Sequence, residues 1–294
     1  MRPCSLRAGV LAAVVGCSAP VCVAQTGGQA PVRAGALAVE PEWIALARAK
    51  AQRGDVKAQL QLGRLYEGGD GVALNLRLAG AWYRRAAEAG EAEAQSALGA
   101  MYAFGRGVAQ DHAAAVRWYR KAADQGDPRG QNNLGEQLAR GLGVPADDKA
   151  AVAWYRRAAL KGYPPAIANL GYMYEHGRGV TQDSSEAVKW FRGAADLGDA
   201  QGQYHLALAY KDGAGIDRNP AEAIRWCRQA AGQGFPSAAH ALGVSYRDGY
   251  LVAPDPVEAL TWFAVAAARA TARERTDSVA ARDALAAGLE RSQV

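Results

Sequence analysis

Tryptophan recurs at Trp82, Trp118, Trp154, Trp190, Trp226 and Trp262, each 36 residues after the last, with no insertion or deletion between them. Six indoles on one period define a tandem array, so the chain cannot be read as one or two ordinary globular domains. In such an array each unit packs on its neighbours and the core grows in one dimension. A glycine marks each unit boundary, at Gly54, Gly90, Gly126, Gly162, Gly198 and Gly234. Half of the residues are hydrophobic, with alanine prominent, and only 12 are proline. Alanine is the strongest helix former, and a chain so rich in it reads as all-helical.

Each unit predicts two helices. The first begins after the boundary glycine, with Asp55, Asp127 and Asp199 as N-caps and Pro128, Pro164 and Pro236 in its first turn. Its apolar stripe is plain in Ala94, Leu98, Gly99 and Tyr102. The leucine returns as Leu62, Leu134, Leu170, Leu206 and Leu242, followed by glycine in five units and by Ala207 in one. Glycine inside a helix costs about 1 kcal/mol against alanine. Its recurrence predicts a close approach by the partner helix. A turn of the type Gly105-Arg106-Gly107-Val108 ends the first helix, its glycines suited to the positive φ of a helix C-cap. It lacks the Lys-Ser/Thr and the preceding strand of a phosphate-binding loop. The second helix starts at Asn75, Asp111, Asp147, Asp183, Asn219 or Asp255, all good N-caps. Small residues such as Ala115, Ala122 and Ala123 flank the tryptophan on one face, which predicts the indole as the knob of a knob-and-socket core. Residues 40–53 read as a terminal half-unit and residues 271–294 as a C-terminal capping helix, as an array's open ends require.

The first 24 residues read as an export signal: Arg2 and Arg7, an apolar run over 8–16, Pro20, then Cys22-Val23-Ala24 before Gln25. The run is too short to span a bilayer. Val14-Val15-Gly16-Cys17 also resembles a bacterial lipobox, which would make Cys17 a lipidated first residue and anchor the protein to the outer membrane. Either reading places the mature protein in the periplasm or outside the cell, without a transmembrane segment. Residues 25–39 are an aperiodic spacer.

The net charge of +5 falls to +3 without Arg2 and Arg7, and Lys and Arg are spread among acids. That argues against nucleic acid, which selects a basic stripe. Of four cysteines only Cys227 lies in the repeats, at the apolar position held elsewhere by Tyr83, Tyr119, Tyr155, Phe191 and Phe263. It reads as a small buried hydrophobe. No disulfide framework and no zinc-like spacing exist.

Leu-Gly-x-x-Tyr, Gly-x-Gly-Val and Ala-x-x-Trp-Tyr-Arg-x-Ala-Ala at these spacings resemble the Sel-like repeat, a relative of the tetratricopeptide repeat, from Pro41 to about Ala270. The resemblance implies an all-α, right-handed solenoid of antiparallel helix pairs. It also implies an adaptor or scaffold for a protein or peptide partner, with no cofactor and no catalysis. Departures are Leu138 for the tyrosine in the third unit, Ala207 for the glycine in the fifth, and Gly249-Tyr250-Leu251-Val252 for the turn in the sixth. By the same resemblance, first-helix residues facing away from the second helix line a concave groove: Arg64, Glu67, Phe104, Arg129, Asn132, Glu136, Arg140, Tyr172, His176, Tyr204, Lys211, His240 and Arg247. Some disulfide-rich relatives have been described as β-lactamase-like or penicillin-binding, but they carry a cysteine pair in each repeat, and this chain has none. Ser-x-x-Lys, His-Glu-x-x-His and Gly-x-Ser-x-Gly are all absent from the sequence. Restraint of a membrane sensor's periplasmic domain is the third reading. Metal held by His176, His205 and His240 across adjacent units is a further arrangement that helix spacing does not force.

Overall fold

The computed structural model describes residues 41–270 and 272–292, with side chains of the last stretch described for 275–289. The expected export signal, Cys17 and the expected spacer lie outside the described residues. Within them the chain is helical throughout, without a strand. A leading helix α1 (Glu42–Gln52) precedes six pairs. The first helices are α2 (Val56–Gly68), α4 (Ala92–Phe104), α6 (Pro128–Arg140), α8 (Pro164–His176), α10 (Ala200–Asp212) and α12 (Pro236–Asp248). The second helices are α3 (Leu76–Glu88), α5 (His112–Asp124), α7 (Asp148–Ala159), α9 (Ser184–Asp196), α11 (Pro220–Gly232) and α13 (Pro256–Arg269). A last helix, α14 (Ala272–Ser292), packs on α13 and α12. Each helix packs on the one before it, and α4 also touches α6 as α8 touches α10. The result is an all-α solenoid.

Local chemistry sets the helix limits. All six second-helix caps, Asn75 through Asp255, accept a hydrogen bond from a backbone N–H in the first turn. Asp55, Asp127 and Asp199 do the same for first helices. Every first helix ends on a left-handed glycine, Gly69 to Gly249. The second glycine of the turn answers a different demand. A Cβ on Gly107, Gly143, Gly179 or Gly215 would overlap the backbone at the start of the preceding unit's second helix, at Leu76, His112, Asp148 and Ser184. The turn thus locks one unit onto the next.

The expected knob is displaced by one residue. Tyr83, Tyr119, Tyr155, Phe191 and Phe263, which follow the tryptophans, are at most 2% exposed, whereas only Trp226 among the six indoles is buried. One residue is a rotation of about 100° on a helix, enough to move the indole from the pair's centre to its seam. There it is half-covered. Trp118 packs against the cluster formed by α1 to α4, and Trp190 against the one containing Leu134 and Leu170. A cation three residues on covers its outer face: Arg85 over Trp82 at 4.7 Å, Lys121 over Trp118 at 4.3 Å and Arg157 over Trp154 at 4.5 Å.

The first-helix glycine serves this displaced knob. A Cβ on Gly63, Gly99, Gly135, Gly171 or Gly243 would come within 2.8 Å of a ring carbon of Tyr83, Tyr119, Tyr155, Phe191 or Phe263, respectively. What the glycine admits is chiefly the flat face of a buried ring rather than the partner helix's backbone.

Candidate interaction surface

The stripe predicted to bind, exemplified by Arg129, Asn132, Glu136 and Arg140 on α6, follows the i, i+3, i+7, i+11 spacing of one helix face. First helix touches first helix, α4 with α6 and α8 with α10, so this row, the expected inner row, runs where successive units meet. That proximity changes what several positions do. Asn132 and Glu136 are buried, not open. Asn132 Oδ1 accepts from Asn169 Nδ2 at 3.0 Å, a bond from one first helix to the next. Glu136 accepts from Arg140 at 3.0 Å, yet burial outweighs this partner and holds its carboxyl above the usual carboxylate range. His240 is also withdrawn from the expected groove. The last helix reaches it, and His240 Nδ1 lies 3.0 Å from Ser278 Oγ.

The remaining positions lie nearer to solvent. Arg64 pairs with Glu93, and Glu67 accepts the Tyr83 hydroxyl at 2.8 Å while meeting Arg106 at 3.1 Å. Phe104 is 47% exposed, a large apolar side chain at the end of α4. Arg129 is exposed, Lys211 pairs with Asp212 at 2.8 Å, and Arg247 pairs with Asp248 at 2.7 Å. The densest group joins the fourth and fifth units. Tyr172 stacks on His176 with centroids 4.1 Å apart, and Tyr172 and Tyr204 both meet the edge of His205, at 6.0 and 5.8 Å. His205 is buried and stacks on Phe191 at 4.8 Å. Glu175 Oε2 lies 3.5 Å from a ring nitrogen of both His176 and His205. Among the described residues no group of three or more His, Cys, Asp or Glu is placed to hold a metal ion, and His240 bonds to the last helix instead of joining the other two. The surface offers aromatic faces and paired charges, the chemistry of polypeptide recognition.

Two repeating sets of bonds escaped the sequence reading. Gln59, Gln95, Gln131 and Gln203 donate from Nε2 to the last-turn carbonyls of Ala51, Ala87, Ala123 and Ala195 in the preceding helix. On the opposite side, Arg84, Arg156, Arg192 and Arg228 donate to the hydroxyls of Tyr102, Tyr174, Tyr210 and Tyr246. Both sets recur at the same 36-residue offset as the tryptophans, and that recurrence was the available signal.

The Sel1 repeat model matches six consecutive segments, 56–91, 92–127, 128–163, 164–199, 200–235 and 236–270. Among solved structures, a Sel1 repeat protein from Oxalobacter formigenes is 31% identical, with a TM-score of 0.68 over 77% of this chain and 97% of that one. The immunity protein Pa5087 from Pseudomonas aeruginosa is 22% identical, with a TM-score of 0.53 over 72% of this chain and 80% of that one, a likeness of fold. A comparison with curated proteins found no match.

Proposed function

Because the chain belongs to the Sel1 repeat family, whose fold is a generally non-catalytic scaffold for protein interaction, we propose that it is a cell-envelope adaptor that holds a protein or peptide along the inner row of first helices. The observation that carries this is the half-exposed group of Tyr172, His176 and Tyr204, set between two units whose packing is otherwise regular. Aromatic and charged side chains on a stiff frame lose little freedom on binding, and such residues dominate interface energies. The export reading rests on the pattern of residues 1–24, with Cys17 as the alternative lipid anchor. None of the described helices is long and apolar enough to cross a membrane.

The test is crosslinking in intact cells that make the protein, followed by co-purification of wild type and of a Phe104→Ala, Tyr172→Ala, Tyr204→Ala variant. The variant should fold and lose the captured partner. Undiminished capture would remove the inner row from consideration. Mass measurement of the mature N-terminus separates a start at Gln25 from an acylated Cys17.

A further inference from the structure

The fifth unit departs from the repeat at two facing positions. Where the other five oppose a first-helix glycine to a second-helix Tyr or Phe, this one opposes Ala207 to Cys227. A ring is removed and a single methyl group is added. The sixth unit's turn departs as well, with Leu251 where all five earlier turns have their second glycine. All three residues line one cavity of about 590 Å³ between α10, α11 and α12. Its other walls include the small side chains of Ala241 and Ser245. Leu251 adds a side chain to the wall and Trp226 is buried beside it, yet a solvent-open cavity remains at the position that a ring fills in every other unit.

We propose that this cavity is a socket for one aromatic side chain of a partner polypeptide, so that the ring missing from the fifth unit is supplied by another molecule. Two of its walls stand at positions that touch a ring elsewhere, Ala207 at that of the glycine and Ala241 at that of His205, which stacks on Phe191, and the volume lies within the range of about 300–1,000 Å³ typical of ligand pockets. The mouth carries one charge of each sign, Lys211 and Asp248, with Lys211 also paired to Asp212 at 2.8 Å. Lys211 lines the cavity at the position occupied by Glu67 in the first unit and Arg247 in the sixth. Glu67 receives the Tyr83 hydroxyl, and the Arg247 guanidinium lies 5.9 Å from the centroid of Phe263. The same position therefore already serves the edge or face of an aromatic ring in two units. An ammonium there attracts a π-face or a phenolic oxygen. Residues 1–40 and 293–294 contain no Phe, Tyr or Trp, so they cannot supply the ring. Cys227 is wall rather than reactant: its thiol donates to the Ala238 carbonyl at 3.2 Å, and burial pushes its pKa up to about 12. That the ring belongs to a polypeptide rests on the scaffold reading; the socket itself does not.

The experiment titrates the full chain with N-acetyl-tyrosinamide, N-acetyl-leucinamide and N-acetyl-alaninamide, following backbone amide NMR shifts. The tyrosine compound should saturate in the millimolar range that so small a ligand permits. It should move the amides of Ala207, Cys227 and Ala241, and bind more tightly than leucine. The variant Ala207→Gly, Cys227→Tyr restores the family's own glycine and ring. It should fold and weaken this binding by about tenfold or more, the equivalent of one lost aromatic contact. Ala241→Phe fills the socket from the next unit and should do the same. The proposal is overturned by unmoved amides, by leucine binding as well as tyrosine, or by a filled variant that still binds as wild type. It is also overturned by a dimer in sedimentation that the filled variants abolish, which would make a second copy the donor. Tyrosinamide binding without any crosslinked partner would sink the scaffold reading alone. A partner retained by both filled variants would sink the socket alone.

Discussion

Converting the fourth unit into a copy of the fifth tests how ring and glycine depend on each other. Phe191 is 1% exposed and stacks on His205 at 4.8 Å. Truncating a buried phenylalanine to alanine costs about 3–5 kcal/mol, and cysteine retains one heavy atom more, so Phe191→Cys should cost about 3 kcal/mol. Gly171→Ala has two opposed effects. Helix propensity favours it by about 1 kcal/mol. Its new Cβ, however, would lie 2.5 Å from Phe191 Cδ1, an overlap of the kind that costs about 1–3 kcal/mol. The net is a loss of about 1 kcal/mol. In the double variant the methyl enters space the ring has left, the overlap vanishes and the propensity gain stands. The double variant should then lose about 2 kcal/mol, against about 4 kcal/mol for the sum, a coupling of about 2 kcal/mol. Urea denaturation of the four proteins, with midpoints compared at unchanged slope, measures this. Effects that add within about 0.5 kcal/mol would refute the claim that the glycine exists to admit the ring.

Three further outcomes follow from single contacts. Asp147→Ala removes the acceptor of the Ala150 N–H at 2.9 Å and should cost about 1 kcal/mol, with Asp147→Asn close to wild type in the same thermal melts. Gly143→Ala combines a φ of +70° with overlap of the His112 backbone; it should cost about 2 kcal/mol or more and increase proteolysis between the third unit and the second. Glu136→Gln should stabilise at about pH 7, because burial raises the folded carboxyl's pKa above its unfolded value and so penalises the ionised form. That penalty is full above the folded pKa, fades as pH falls from the folded value to the unfolded one, and is gone below it, so the advantage of glutamine should shrink toward about pH 4. A loss of stability in the glutamine variant at about pH 7 that disappears toward low pH would show that the Arg140 pair, not burial, controls the site.

The repeats are six copies of one unit, and the copies align with one another residue by residue in the sequence. Periodic Trp, Gly and Asx positions therefore conveyed helix count, pairing and caps, since these depend on residues within one unit. Less legible was anything set by the distance between units. The pattern places Trp118 and Tyr119 side by side but does not say which faces the pair's centre, because both are large and their neighbours are alike. Asn132 and Glu136 looked open for the same reason: polarity marks them as surface until the next first helix closes over them. His240 was misplaced by a different cause. Its neighbour Ser278 comes from α14, which follows no repeat and has no counterpart in the array to predict its docking.

Where a pattern is this regular, its breaks are the informative positions, and the structure divides them into two kinds. Leu138 replaces a tyrosine of the outer row, and its side chain is buried. The exchange removes a hydroxyl from the row of arginine bonds and puts an apolar side chain into the core, so packing alone accounts for it. Ala207 and Cys227 differ in kind. They lie 20 residues apart in sequence, in separate helices, yet each is the exchange that the other permits: without the ring no glycine is needed, and with alanine the ring cannot enter. A paired change that conserved packing would have returned the lost volume nearby. Here Leu251 on the next unit's turn returns part of it, but Ala241 and Ser245 beside it are small, and a cavity open to solvent remains. The cavity opens to solvent where Tyr204 and Lys211 line it, so the space left by the ring is within reach of another molecule rather than sealed in the core.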